Sequence, residues 1–175
     1  MQFNRHLAAA FLTMAALSAT AAAQAPLTDQ ILAERVATTV HKYLKLTMFD
    51  DVTISVKDRN VTLTGRVTQP LKKDELGQRV AKVDGVRTFV NDIGVLPASL
   101  SDEQLRRRLA NQIYGNPTFQ RYSEMREPPI HIIVEDGRVT LTGYVNDAGE
   151  KALASALAQV NGVFAVKNEL RIEKS

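Results

Sequence analysis

The heptapeptide VTLTGYV at residues 139–145 decides how this chain folds, because it occurs almost unchanged 78 positions earlier as VTLTGRV at residues 61–67. Six of the seven positions agree. An internal repeat indicates one structural unit used more than once. Within each copy, valine and leucine alternate with threonine, which is the period-two pattern of a half-buried β-strand. The sequence therefore predicts two related units, each built around one copy of this strand.

The glycine of each copy, Gly65 or Gly143, falls on the apolar side of the predicted strand, where a large side chain would be expected. A glycine in that position usually marks a β-bulge or a helix packed close to the backbone. We therefore interpret both glycines as structural, in preference to ligand-binding positions.

The composition is that of an ordinary globular protein, with 45% hydrophobic and 23% charged residues among 175. The net charge of +3 is too small by itself to indicate a nucleic-acid partner. The sequence contains no cysteine, which excludes disulfides, thiol catalysis, zinc–thiolate sites and lipid attachment to an N-terminal cysteine.

Residues 1–23 have the pattern of a secretory signal peptide. Arg5 and His6 form a short basic start, residues 7–19 are mostly apolar, and three alanines at 21–23 suit cleavage. The apolar core is too short for a lasting membrane anchor. We therefore expect a soluble mature protein, without a transmembrane segment, exported to a bacterial periplasm.

The first unit predicts the order helix, strand, strand, helix, strand. Apolar residues spaced four apart predict a helix that is capped by Thr28 and ends near residue 44. Alternating apolar residues predict strands at 52–56 and 61–67. A second helix at 70–83, which Gly85 terminates, and a strand at 86–95 complete this unit.

The second unit repeats this order with a helix capped by Ser101, strands at 130–134 and 139–145, a helix at 147–160 and a strand at 163–172. The predicted organisation is a first domain over residues 24–97, a linker at 98–100 and a second domain over 101–175. The predicted fold class is α+β: two tandem αββαβ units, each a three-stranded mixed sheet with two helices packed on one face. Each core is thin, so we expect the two units to support each other through an interface.

This ordered set of motifs resembles the BON domain, a family named for bacterial OsmY and nodulation proteins. The resemblance rests on residues 132–145 (IIVEDGRVTLTGYV), 160–163 (VNGV) and 168–170 (NEL), and on 61–67, 83–86 (VDGV) and 91–93 (NDI). It implies a tandem binding module of the cell envelope, similar to the soluble, osmotically induced periplasmic members. Such modules are proposed to contact phospholipid surfaces or envelope proteins, and the resemblance brings no catalytic residues.

The residues themselves also do not indicate an enzyme. His41 and His131 have no second histidine or carboxylate at metal-ligand spacing, and the pair at 50–51 (Asp-Asp) fits a turn better than acid–base catalysis. Phosphate-binding Gly-Lys-Ser/Thr loops and Gly-x-Ser-x-Gly elbows do not occur. We predict no catalytic residues, no metal site and no cofactor.

The segment at residues 114–129 is the first candidate contact surface, because aromatic side chains there alternate with arginines. Aromatic residues with one apolar and one wet end suit a membrane interface or a protein contact. The alternative is that the aromatic side chains close the hydrophobic core over the end of the preceding helix. The candidate residues of this segment are Tyr114, Phe119, Arg121, Tyr122 and Arg126.

The run Arg106, Arg107 and Arg108 is the second candidate, since a basic amphipathic helix attracts anionic lipid. A solvated outer face with acidic neighbours is the alternative. The third candidate is the apolar pair Ile133 and Tyr144, which we expect on the outward face of the second sheet. An apolar pair on a wet face suggests a contact, either between the two units or with a partner.

These observations predict an exported, non-catalytic module that contacts anionic phospholipid surfaces, and the resemblance implies that it acts in osmotic or envelope stress. The alternative is a protein–protein or chaperone-like module for envelope proteins that uses exposed sheet edges. Residues 24–97 carry 11 basic and 9 acidic side chains, and residues 98–175 carry 10 of each. Attraction to lipid must therefore come from a local patch and not from the overall field.

Overall fold

The computed structural model describes residues 27–173, so the predicted signal peptide lies outside the described residues. The first unit has the predicted order, and the hydroxyl of Thr28 caps its first helix by accepting the N–H of Ile31. Its central strand pairs antiparallel with the first strand and parallel with the third. The elements are α1 (Asp29–His41), β1 (Asp51–Lys57), β2 (Asn60–Val67), α2 (Pro70–Val80) and β3 (Thr88–Val95).

The second unit repeats this order with an added short helix and an interrupted third strand. Its elements are α3 (Leu100–Tyr114), α4 (Gln120–Ser123), β4 (Ile130–Glu135), β5 (Arg138–Val145), α5 (Ala148–Leu157), β6 (Ala165–Asn168) and β7 (Arg171–Ile172). Strand β5 pairs antiparallel with β4 and parallel with both β6 and β7. The sequence predicted one strand at 163–172; the side chain of Asn168 accepts the N–H of Leu170 at 3.2 Å, a local bond that competes with strand pairing.

Each unit has its own hydrophobic core between its helices and one face of its sheet. In the first, α1 contributes Leu32, Val36 and Val40, which are the residues that the four-residue spacing predicted. In the second, α3 contributes Leu105, Leu109 and Ile113, which have the same four-residue spacing and lie buried in the core with β4 and β5. The α+β architecture of two repeated units, which the sequence repeat predicted, is therefore confirmed.

The repeated glycines are structural, as predicted. Gly65 and Gly143 have φ angles of +115° and +102°, which glycine adopts without strain. A Cβ built on either residue would overlap a backbone carbonyl oxygen of the neighbouring strand or its lead-in, that of Asp51 or Pro129. The close approach therefore comes from the hairpin partner and not from a helix.

An aspartate at the start of the first helix holds the hairpin turn in both units. The carboxylate of Asp29 accepts the backbone N–H groups of Asp58 and Arg59 at 2.7 and 2.8 Å. The buried carboxylate of Asp102 does the same for Asp136 and Gly137, at 2.9 Å each. This contact ties the start of the first helix to the hairpin turn of each unit.

The turn of the first unit has two non-glycine residues in the left-handed region, Asp58 and Arg59, whereas that of the second has one, Asp136. Arg59 has φ +61°, whereas Gly137 occupies the equivalent position with φ +71°. Left-handed backbone costs a residue with a Cβ about 1–2 kcal/mol. We expect Arg59→Gly to raise the free energy of unfolding by up to about 1 kcal/mol in urea titrations followed by circular dichroism. Arg59→Ala should give no gain, because alanine keeps the Cβ; a gain in both variants would contradict this explanation.

The two units touch through the segment that precedes β1. The N–H of Ile132 on β4 donates to the carbonyl oxygen of Met48 at 2.7 Å, and Met48 and Phe49 pack against the core of the second unit. Arg66 also lies 3.6 Å from Glu135 on the second sheet. The first unit thus covers part of the free edge of β4, which accords with the expectation of mutual support.

Candidate contact surfaces

The aromatic residues of the 114–129 segment belong to the core and do not form an exposed surface. Phe119 is fully buried, and Tyr114 and Tyr122 are nearly so. The Tyr114 hydroxyl donates to the carbonyl oxygen of Ile130, and the rings of Phe119 and Tyr122 stack with centroids 6.1 Å apart. The prediction that they are available to a membrane is wrong. The long connector folds back through α4, and its apolar residues close the core over the end of α3.

Arg121 is committed to an internal cluster on the same segment. Its guanidinium pairs with the carboxylate of Glu150 on α5 and lies 4.5 Å over the ring of Tyr122. Burial alone would raise the pKa of Glu150, but hydrogen bonds from the Asn146 N–H, Tyr122 and Arg121 lower it. The cluster fastens the connector to α5. Arg121 is nevertheless 47% exposed, and Arg126 is exposed as well, so both arginines of this predicted set reach solvent.

The arginine run is not a uniform basic face. Arg106 is buried and donates to the carbonyl oxygen of Val134 at 2.7 Å, so it ties α3 to β4 and is not accessible to lipid. Arg107 is exposed and pairs with Glu103 at 2.9 Å. Arg108 is exposed and donates to the carbonyl oxygen of Asn161 at 2.6 Å. Two of the three arginines therefore reach solvent, and one of these two is partly neutralised.

The two residues predicted on the outward face of the second sheet, Ile133 and Tyr144, also differ in exposure. Ile133 is only 7% exposed, although it lies on the outward face, whereas Tyr144 is 44% exposed. The guanidinium of Arg171 lies 4.7 Å over the ring of Tyr144. Beside Ile133 on the same strand, Ile132 takes part in the contact with the first unit. Ile133 and Tyr144 therefore do not form an exposed apolar pair, because only Tyr144 is accessible to a partner.

A basic surface that the sequence did not reveal lies on the first unit, where the end of α1 meets the outer side of α2. Tyr43 is buried there, with Arg79 at 5.2 Å and Lys45 at 6.0 Å from its ring, and its hydroxyl donates to Glu75. Lys82 follows on the same side of α2, with Arg79 and Glu75 beside it. We call this surface the Tyr43 face; it comprises Lys45, Glu75, Arg79 and Lys82, together with Lys42 and Leu44, the exposed chain neighbours of Tyr43.

The electrostatics of the Tyr43 face are those of a cationic patch. Lys45 donates to both carboxylate oxygens of Glu75, at 2.7 and 2.8 Å, and these bonds, with the one from Tyr43, lower the pKa of Glu75. Glu75 is therefore an anion at neutral pH and offsets one cation. Lys42, Lys45, Arg79 and Lys82 leave a net charge of +3. Leu44, which follows Tyr43 in the chain, is 70% exposed.

Within residues 27–173, no three His, Asp or Glu side chains come together as a metal site. No helix in the same range is long and apolar enough to cross a bilayer. The most buried ionic contact, between Asp50 and Lys72 at 2.6 Å, joins the start of β1 to α2 and is enclosed by protein.

A duplicated αββαβ unit with separate cores defines a small α+β module used in tandem. The chain belongs to the BON domain family: the family profile matches residues 28–97 and again residues 101–174. The predicted family is therefore confirmed over both units. No curated protein matches the chain.

Two solved structures resemble the chain distantly. One is from studies of CdsD, a structural protein of the type III secretion system of Chlamydia trachomatis; it is 14% identical, with 82% of this chain and 93% of that chain covered and a TM-score of 0.33. The other is the C-terminal domain of CdsD from the same organism, 16% identical, with 85% and 68% covered and a TM-score of 0.34. Likenesses this distant carry no information about function.

Proposed function

We propose that this chain is an exported, non-catalytic tandem BON protein that contacts anionic phospholipid surfaces of the cell envelope through the Tyr43 face. The observation that carries the proposal is the grouping of Lys45, Arg79 and Lys82 with one anion around Tyr43, whose chain neighbours Lys42 and Leu44 are exposed. The signal-peptide pattern of residues 1–23 supports a periplasmic location. Osmotic or envelope stress is the setting that the family resemblance suggests.

Electrostatic attraction and apolar contact both contribute to this mechanism. Each Lys or Arg held near an anionic leaflet contributes about 1 kcal/mol, and the effect falls off within a Debye length, which is about 10 Å at 0.1 M salt. Two of the cations are held in place, because Arg79 is on α2 and Lys45 is bound by Glu75, and both lie over the ring of Tyr43. Leu44 is placed to enter the headgroup region once the cations have brought the face to the membrane.

The test is flotation with vesicles of phosphatidylglycerol and phosphatidylethanolamine, against vesicles of phosphatidylcholine. We expect binding to the anionic vesicles that weakens as salt rises. The double variant Arg79→Glu, Lys82→Glu should bind about 30-fold more weakly, because at least two contributions of about 1 kcal/mol are lost.

The matched control is the double variant Arg107→Glu, Arg108→Glu, which reverses the same number of charges on α3. The Tyr43 face carries +3, whereas Arg107 and Arg108 with Glu103 carry +1, so the control should bind almost as well as the wild type. If the control loses more vesicle binding than the Tyr43-face variant, the lipid contact lies on α3 instead. Flotation that ignores salt and both variants would defeat the lipid proposal.

The second candidate is a protein-binding module that uses the free edge of β3. This strand is last in the order β1-β2-β3, and Val90 and Val95 along it are exposed. An unpaired strand edge is a template for an added strand from another chain. Capture of an extended peptide that is unaffected by salt and is reduced by a proline at Val90 would favour this function over lipid contact.

A further inference from the structure

The first helix begins differently in the two units. In the first unit, α1 starts after Thr28, and the side chain of Leu27 covers Gly85, so that a Cβ on Gly85 would overlap the Leu27 methyl groups. In the second unit, the residues at the equivalent positions are Leu100, Ser101 and Gly162. There α3 starts two positions earlier: Ser99, and not the predicted Ser101, is the N-cap and accepts the N–H of Asp102 at 3.2 Å.

This shift leaves a groove in the second unit that is filled in the first. Leu100 has become part of the helix and is 87% exposed, and nothing lies within 4 Å of the position that a Cβ on Gly162 would take. The open groove has a volume of about 490 Å³, and Leu105, Arg108, Asn161 and Phe164 are among the residues that line it. Phe164 at its rim is 81% exposed. Leu100 and Phe164 are the two most exposed large apolar side chains among the described residues.

The first unit shows what fits such a groove: the aliphatic side chain of the residue that precedes or opens the first helix. Leu100 cannot fill its own groove in the way that Leu27 does without unwinding the start of α3. That change would break the cap at Ser99, including the bond from the Glu103 N–H to the Ser99 carbonyl oxygen. A capped helix therefore presents Leu100 outward, next to an empty groove of matching chemistry.

We propose that the groove of each second unit receives Leu100 of another copy of this chain, in a two-fold symmetric dimer. One patch then carries both the leucine and its receptor, which is the self-complementarity that a two-fold interface requires. The contact that Leu27 makes within the first unit is made between copies in the second. Phe164 of each copy packs against the inserted leucine and leaves water in the same step.

The charges around the groove fit a second copy better than an anionic surface. The charged residues of the lining are Asp102, Arg108 and Asp136, which give it a net charge of −1, and the Asp102 carboxylate is already bound by the hairpin turn. This charge repels an anionic surface, whereas in the dimer Arg108 of each copy offsets an aspartate of the other. The contact is small, so we expect a weak dimer that forms as concentration rises. It lies on the second unit and leaves the Tyr43 face of the first unit free.

The first test is sedimentation velocity on the protein purified from expressing bacteria, at concentrations from about 5 to 500 μM, a range that spans weak interfaces. We expect a reversible dimer. Two leucines leave water in each dimer, so Leu100→Ser should weaken association by about 100-fold, or about 2.8 kcal/mol. Leu71→Ser, at an exposed leucine of the first unit outside the Tyr43 face, is the control and should leave the dimer unchanged. A monomer at every concentration, or a dimer that Leu100→Ser does not weaken, overturns the proposal.

The second test uses the absence of native cysteine. Chains carrying Leu100→Cys are mixed with chains of different tag carrying Asn161→Cys, oxidised, and separated without reductant. We expect the mixed disulfide to form in preference to either self-pair. The double variant Leu100→Cys, Asn161→Cys in one chain tests the alternative, which is that Leu100 contacts the groove of its own chain. A disulfide confined to the monomer means that Leu100 closes on its own groove, and this result, like the absence of any cross-link, overturns the dimer.

Discussion

Asp50→Ala should lower the free energy of unfolding of the first unit by about 3–5 kcal/mol, because it leaves the buried ammonium of Lys72 without its partner. The Asp50 carboxylate accepts from Lys72 at 2.6 Å, from the N–H and hydroxyl of Thr68 at 2.7 and 2.9 Å, and from Thr47 at 2.8 Å. Both charged side chains are almost inaccessible to solvent. The loss is measured by urea titration and assigned to the first unit by hydrogen exchange of its core amides.

The pKa of Asp50 decides the pH at which the stabilities of the wild type and Asp50→Ala should be compared. Burial alone would raise this pKa, but the hydrogen bonds from Lys72, Thr68 and Thr47 outweigh it and lower the pKa below its ordinary value. The unfolded chain therefore binds a proton at a higher pH than the folded chain does. The stabilisation is complete above the ordinary pKa of about 4, and it is lost as pH falls through the lowered pKa. The comparison belongs at pH 7, where the full contribution is present.

Two controls separate the buried charge from lost contacts. Asp74→Ala removes an exposed carboxylate from α2 and should change stability by less than about 0.5 kcal/mol. The double variant Asp50→Ala, Lys72→Met removes both charges and should recover a large part of the loss, since no unpaired charge stays buried. If the double variant is as unstable as Asp50→Ala, the cost does not arise from the ammonium of Lys72.

Gly143→Ala should destabilise the second unit by about 2–5 kcal/mol. The residue has φ +102°, which costs a side chain about 1–2 kcal/mol, and the new methyl group would overlap the carbonyl oxygen of Pro129. Forcing the backbone apart to admit a methyl group costs a further 1–3 kcal/mol, roughly. The overlap is with the backbone, which cannot turn aside as a side chain does. Thermal unfolding and amide exchange of β4 and β5 measure the loss.

Gly162→Ala is the matched control, because it has the strain without the overlap. Gly162 has φ +98°, and nothing lies within 4 Å of the position of its Cβ. We expect a loss of about 1–2 kcal/mol from the backbone conformation alone. The difference between the two variants measures the cost of the close approach. Equal losses would mean that the repeated glycine is needed for its φ angle only.

The positions that could be predicted from sequence are those whose role depends on near neighbours. The stripe of Leu32, Val36 and Val40 follows from helical spacing, and the turn at Asp136 and Gly137 follows from the tolerance of those residues for left-handed backbone. The contact surfaces could not be predicted in this way. Arg106 and Arg107 are adjacent in the chain and have similar propensities, yet one is buried against Val134 and the other is in solvent.

The Tyr43 face is a contact surface that local sequence patterns did not predict. Its cations come from two segments more than 30 positions apart, Lys42 and Lys45 after α1 and Arg79 and Lys82 on or just after α2. Neither segment alone is a conspicuous basic run. Only the packing of α1 against α2 brings them together around Tyr43. Leu100 likewise required the observed cap at Ser99, since two serines flank it and either suits an N-cap.

The sequence by itself determined that this protein is one αββαβ unit used twice, because hydrophobic period, turn residues and the repeated glycines are local signals that agree with one another in both copies. It also determined the family. Only the tertiary structure decided which charged and aromatic side chains reach solvent. That choice depends on how the connector at 114–129 folds back over its core and on where the first helix of each unit begins. Both are settled by packing between residues distant in the chain, which no local pattern records.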